Sequence, residues 1–290
     1  MKFGIVFANT GPYADPEPAV VMAQAAEGAG FESVWTVEHI IWPEAYTSTY
    51  PYHPSGKMQG NTTTAIPDSL TWLTWIAAHT TTLRVATGIL LVPERNPLVL
   101  AKAVATLDHL SGGRLELGIG VGWLREEFEA LGVPFEQRGA RTDEYVAAMR
   151  ALWAGDNVSF RGEFTDFANV TSRPHPVTGT VPIVVGGHTD AAARRAGRLG
   201  DGFFPGRGSI EDFVRLKAVM TEAAEEAGRD PAAIELSLPM PSSSDPREEI
   251  ETLIDLGVGR LMVPAYLFWG DTPDQSVPAF AERAIAPYLS

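Results

Sequence analysis

Residues 83–123, LRVATGILLVPERNPLVLAKAVATLDHLSGGRLELGIGVGW, read as strand, helix and strand with both helix ends marked. Residues 83–92 are mostly apolar and β-rich, as a strand buried on both faces must be. Pro93 ends that strand. Asn96-Pro97 opens a helix, with asparagine as N-cap and proline at the first helical position, where no amide partner is needed. Leu100, Val104, Leu107 and Leu110 recur at spacings of three and four and predict one apolar stripe. Ser111-Gly112-Gly113 stops the helix, because glycine tolerates the left-handed cap. Residues 114–121 make the next strand. Two parallel strands joined by a right-handed helical crossover form a βαβ unit.

The same alternation continues along the chain. Strands are expected over 2–7, 33–37, 83–92, 114–121, 181–187, 201–205, 234–238 and 260–264, with helices between them. Two stretches fall outside the repeat. Residues 40–66 form a long Tyr-, Thr-, Pro- and Gly-rich loop, a functional lid or a disordered insert. Residues 157–170 alternate like an inserted hairpin. Eight units in 290 residues predict one α/β domain over 1–290. Its fold is a (β/α)8 TIM barrel with insertions after strand 2 and before strand 5, because closure leaves no edge strand exposed. An open doubly wound sheet is disfavoured, since the first βα turn lacks a glycine fingerprint.

Charge and composition exclude several partners. The formal net charge is −14, which argues against nucleic acid and anionic membranes. There is no cysteine, so disulfides, thiolate metal sites and cysteine nucleophiles are out. No stretch has 18 uninterrupted apolar residues, and the first residues lack a basic segment followed by an apolar run. A soluble cytoplasmic protein is the expectation.

Barrel chemistry lies at the carboxyl ends of the strands. That mouth contains no carboxylate–histidine cluster spaced for a metal and no Gly-x-Ser-x-Gly elbow, so no metal site is expected. It contains glycines, aromatic rings and apolar groups, which suit a flat conjugated cofactor. Gly186-Gly187-His188-Thr189-Asp190 follows a strand and opens a helix. A phosphate could rest there on amides and helix dipole, or the segment could be a tight turn capped by Thr189 or Asp190. Gly118, Gly120 and Gly122 alternate at the end of strand four, in a spacing wrong for a dinucleotide loop. They leave room for a flat ligand or serve strand packing. His39 ends strand two just before the long loop, where an imidazole could position a substrate oxygen or exchange a proton. His79 and His109 read as structural. Arg207 is either an anion contact at the mouth or a surface residue.

The stretches RNPLVLAKAVATLDHLSGGRLELGIGVGW, LREEFEALGVPFEQRGARTDEYVAAMRALW and VPIVVGGHTDAAARRAGRLGDGFFP together resemble the luciferase-like monooxygenase superfamily. Within it the chain is most similar to the branch that uses coenzyme F420, a deazaflavin, rather than FMN. The resemblance implies an F420-dependent oxidoreductase. It places Glu38-His39 after strand two, with His39 beside the hydride-transfer carbon. It implies that strand three packs on the cofactor ring through Gly88, Ile89 and Leu90, with a non-prolyl cis peptide at Gly88-Ile89 or Ile89-Leu90. Gly120, Val121 and Gly122 match positions beside the ring. Gly186, Gly187 and His188 match the phosphate side. Trp42, Trp123, Phe204 and Tyr266 would line the site of a small, moderately apolar substrate, and residues 40–66 would cover it. One position departs: sugar-phosphate dehydrogenases of the superfamily carry an acid just after the strand-four glycines, where this chain has Trp123. Rival readings are an FMN-dependent monooxygenase fed by a separate reductase and a non-catalytic flavin binder. A homodimer is expected from the resemblance.

Overall fold

Eight parallel strands close on themselves in the computed structural model, which describes residues 1–243, 246–270 and 272–289. They are β1 (Lys2–Val6), β2 (Ser33–Thr36), β3 (Arg84–Thr87), β4 (Leu115–Gly120), β5 (Ile183–Gly186), β6 (Gly202–Phe204), β7 (Glu235–Pro239) and β8 (Val258–Pro264). Each pairs with its successor, and β1 pairs with β8, Gly4 opposite Met262, so no edge is left. The helices that cover the barrel are α1 (Pro16–Gly28), α2 (Ser69–His79), α3 (Pro97–Ser111), α4 (Arg125–Ala130), α5 (Arg138–Trp153), α6 (Asp190–Leu199), α7 (Ile210–Glu226), α8 (Arg247–Asp255) and α9 (Pro273–Ala284). The expected (β/α)8 barrel is present, with both insertions. The hairpin of Val158–Arg161 and Asp166–Val170 lies between α5 and β5.

The local signals around α3 hold in detail. Asn96 Oδ1 accepts from the amides of Leu98 and Val99 at 2.9 and 3.2 Å, and Gly112 adopts φ +70° at the C-cap. Two expectations need correction. Leu110 is 65% exposed and leaves the apolar stripe, which ends instead on buried Ser111; Asp108 is buried as well, its carboxylate accepting the Val177 amide at 2.7 Å. Strand three is not continuous over 83–92. It stops at Thr87, resumes as Leu90–Leu91 paired with Ile119 and Gly120, and passes into a 3-10 turn over Val92–Glu94. The intervening Gly88–Ile89 peptide is cis, the first of the two expected registers.

The barrel interior is layered. At the amino end Arg260, 1% exposed, donates to Glu32 (3.0 and 3.1 Å), Glu116 (3.0 Å) and Ser237 (3.3 Å). Above it Trp35, Phe204, Val6, Ala86, Val184 and Met262 pack together. The mouth lies on top. Among the described residues no helix is long and apolar enough to cross a membrane.

Candidate active site

The floor of the mouth is Ile89. Its side chain lies across two glycines: a Cβ on Gly120 would come within 2.1 Å of Ile89 Cδ1, and one on Gly186 within 2.4 Å of Ile89 Cγ2. Gly118 answers a different need, since a Cβ there would strike the Thr87 carbonyl at 1.8 Å. Strand packing therefore accounts for Gly118, while Gly120 and Gly186 meet at one apolar, half-buried residue on the same face.

Glu38 and His39 follow β2 and diverge. Glu38 turns inward, accepts the Leu91 amide at 2.7 Å and takes both arms of the Arg95 guanidinium at 2.7 and 2.9 Å. Such a two-point ion pair fixes orientation as well as charge. His39 turns toward α4. Its Nδ1 lies 2.8 Å from Glu127 Oε2, and Glu127 Oε1 accepts the amides of Ile40 and Ile41 at 2.6 and 3.1 Å. Glu127 is fully buried. A carboxylate only accepts, so Nδ1 carries a hydrogen, and in the neutral ring Nε2 is then the nitrogen that keeps a lone pair. Nε2 has no protein partner among the described residues and is not sealed from solvent. The ring stands edge-on to Trp123, centroids 5.9 Å apart.

Trp123 begins a chain of rings. Tyr46 and Tyr50 lie 5.8 and 5.1 Å from it, Tyr52 lies 5.5 Å from Tyr50, and His188 lies 5.0 Å from Tyr52. These tyrosines belong to the 40–66 segment, which is a hydrogen-bonded loop. Glu126 holds it through Thr47 and Ser48, Glu127 holds its first two amides, and Arg207 donates to the Pro51 carbonyl. Asn9, buried beside it, bridges Val37 and the Pro67 carbonyl at its two ends.

The phosphate-side segment is partly committed. The Gly187 amide donates to the Phe204 carbonyl at 3.1 Å, and Thr189 Oγ1 caps α6 by accepting from Ala192. His188 Nδ1 is sealed from solvent without a partner. Burial first, then the positive Arg207, hold His188 below the usual imidazole range.

Of the expected substrate-lining residues, Trp123 stands in the ring chain. Tyr266 is 52% exposed beside Phe7, and Trp42 lies against Gly60 within its own loop. Phe204 is corrected: it is buried below the mouth, edge-on to Trp35 at 6.1 Å, because β6 turns it into the barrel. Sequence reasoning missed Glu127, Glu94, Tyr46, Tyr50 and Tyr52. Glu94 stands in the turn after strand three with both carboxyl oxygens buried and unpartnered. Burial, followed by the charges of Glu127 and Glu38, pushes it up to about 9. Among the described residues no three metal-binding side chains converge.

Known proteins resemble this chain in sequence and in fold. An F420-dependent glucose-6-phosphate dehydrogenase of Mycolicibacterium gilvum is 33% identical over 244 residues, 81% of this chain and 67% of that protein. An FMNH2-dependent dimethylsulfone monooxygenase of Pseudomonas fluorescens is 31% identical over 216 residues, 71% of this chain and 54% of that protein. The coenzyme F420-dependent tetrahydromethanopterin reductase of Methanopyrus kandleri has the same fold, with a TM-score of 0.77 over 99% of both chains at 18% identity. Residues 1–275 match the luciferase-like monooxygenase family, and the chain belongs to it.

Proposed function

We propose that this protein is a coenzyme F420-dependent oxidoreductase that moves hydride between the deazaflavin and a small, moderately apolar organic substrate. The observation that carries this reading is His39: one ring nitrogen fixed by a buried carboxylate, the other open at a barrel mouth lined by rings. That is the geometry of a group that takes or gives one proton at a set position. The mouth fits a planar ring with an anionic tail. Ile89 offers an apolar platform against two glycines, and His188 and Arg207 lie near each other beyond Gly186-Gly187. Ile89, Gly120, Val121 and Gly122 would meet the ring, and Gly186, Gly187 and His188 would face the tail.

When bound, a deazaflavin supplies a hydride-carrying ring carbon. The protein's residues do the rest. Glu127 holds the His39 ring and fixes its tautomer. His39 Nε2 accepts a proton from a substrate hydroxyl, or returns one to a carbonyl oxygen in the reverse direction. Trp123, Tyr46 and Tyr50 exclude water from the adjoining space. Trp123, standing where an acidic group would serve a sugar phosphate, favours an apolar substrate carbonyl or alcohol instead.

Equilibrium titration with oxidised and reduced F420 beside FMN tests this. F420 is expected to bind at least about tenfold tighter, a difference of about 1.4 kcal/mol. Tight FMN binding without F420 affinity would overturn the reading. The FMN-using relative makes a monooxygenase the second reading, and oxygen consumption coupled to reduced FMN would identify it.

A further inference from the structure

Three carboxyl groups crowd one side of the mouth, and their partners are unequally shared. Glu38 has Arg95 and the Leu91 amide. Glu127 has His39 and two loop amides. Glu94 has nothing among the described residues: neither oxygen touches solvent, and neither finds a donor. Its Oε1 lies 3.7 Å from the position a Cβ on Gly122 would take, one residue before Trp123.

The charges around Glu94 come from four elements. α4 brings Glu127, and the segment after β2 brings Glu38 and His39. Its own turn brings Arg95, which is spent on Glu38 and lies 3.5 Å from Asp68. α5, packed on this turn, brings Arg138 and Arg141, whose guanidiniums donate to the carbonyls of Gly122 and Pro134. An ionised Glu94 would be a third negative charge without a cation or donor of its own. Burying such a charge is far more costly than burying a neutral carboxyl.

We propose that Glu94 is a positioning residue that carries a proton through the neutral range, so that His39 answers to a single carboxylate, Glu127. With Glu38 already paired to Arg95, its neutrality keeps a second uncompensated negative charge from building up behind Glu127 and favouring the imidazolium of His39. Only at alkaline pH does that second charge appear. The inference rests on the unliganded protein and stands whichever cofactor the mouth takes.

The test is a pH titration of the full chain, labelled at its histidine rings, by NMR, with His39→Ala assigning the His39 signal among six histidines. The wild-type His39 signal should show its main transition and a second, smaller one near pH 9. Glu94→Gln should abolish the second and leave the main midpoint within about 0.3 pH unit. A main midpoint lowered by about half a unit or more in Glu94→Gln would show that a negative charge had been removed, and would overturn the proposal. So would a second transition that persists in that variant or is missing from the wild type. Glu94→Asp keeps a titrating group and should retain the second transition; its loss there would also count against Glu94.

Discussion

The two ends of the barrel handle charge in opposite ways. At the amino end the charged groups are matched. Arg260 is ringed by Glu32, Glu116 and Ser237, Arg84 shares Glu116 at 2.7 Å, and Lys2 holds Glu235 at 2.9 Å. Glu235 Oε1 alone lacks a partner there among the described residues, and its sister oxygen is taken. At the carboxyl end Glu94, His188 Nδ1 and Thr36 Oγ1 are sealed without partners among the described residues, and Phe7 holds a left-handed φ of +62°. The same eight strands produce both ends. At one end the charged groups are matched to one another around a small polar cleft lined by Lys2, Glu32, Arg84 and Glu116, whereas the other end leaves buried groups unsatisfied at the mouth.

Removing the centre of the amino-end network should produce the largest effect. Arg260→Ala takes from Glu32 its two closest donors and leaves Glu116 to Arg84 alone, and breaking a buried pair from one side costs about 3–5 kcal/mol. Urea unfolding should show that loss, while the folded fraction binds cofactor with unchanged affinity. Weakened binding with intact stability would break the division between the ends. At the mouth the effect should be reversed. His39→Ala should slow hydride transfer about 10²-fold or more, worth about 3 kcal/mol of barrier, with cofactor affinity within about twofold. Unchanged turnover would make His39 a structural residue.

Much of this division could be read along the chain, because it follows from periodicity. Strand and helix counts, the Asn96 and Thr189 caps, the hairpin and the mouth positions all depend on neighbours in sequence. The lone His39 was identified by its place at a strand end. Its partner was not. Glu127 sits in a six-residue helix with Glu126 and Glu129, too short for a burial pattern to emerge, and its acidic run resembles a solvated face. Only the contact across 88 residues distinguishes it. Glu94 was hidden for a related reason: beside Arg95 it looks like half of an ion pair, but that arginine belongs to Glu38. Leu110 differs because one step of helix phase exchanges inside for outside, whereas Phe204 keeps the inward face expected of it and differs only in depth, packed against Trp35.

A smaller effect concerns Glu94 and pH. Its folded-state value is about 9 against an ordinary 4.5. Between those values the unfolded chain loses the proton and the folded one keeps it. Wild-type stability from this group therefore falls as pH rises from about 4.5 and levels off near 9. Glu94→Gln does not titrate, so its stability relative to wild type should grow over that window. The gain at pH 7 should be about 3 kcal/mol. Chemical denaturation at pH 5, 7 and 9 reads it directly, and a difference independent of pH would mean that Glu94 is ionised in the fold.

The smallest effect decides what the mouth glycines are for. If Gly120 exists to admit a ligand, Gly120→Ala should weaken cofactor binding and leave stability alone. The packing says otherwise: the new methyl would meet Ile89 Cδ1 at 2.1 Å and Cγ1 at 3.1 Å, and Leu91 Cδ2 only at 3.7 Å. Overpacking of this kind costs about 1–2 kcal/mol. Ile89→Val deletes the Cδ1 atom that clashes most. The double variant should therefore recover at least about half of the lost stability, a coupling that independent sites would not show. Cofactor affinity should fall in Gly120→Ala and return with stability in the double variant, because both pass through Ile89. If affinity stays low after stability returns, the glycine itself faces the ligand, and the floor of the mouth is the strand backbone and not the Ile89 side chain.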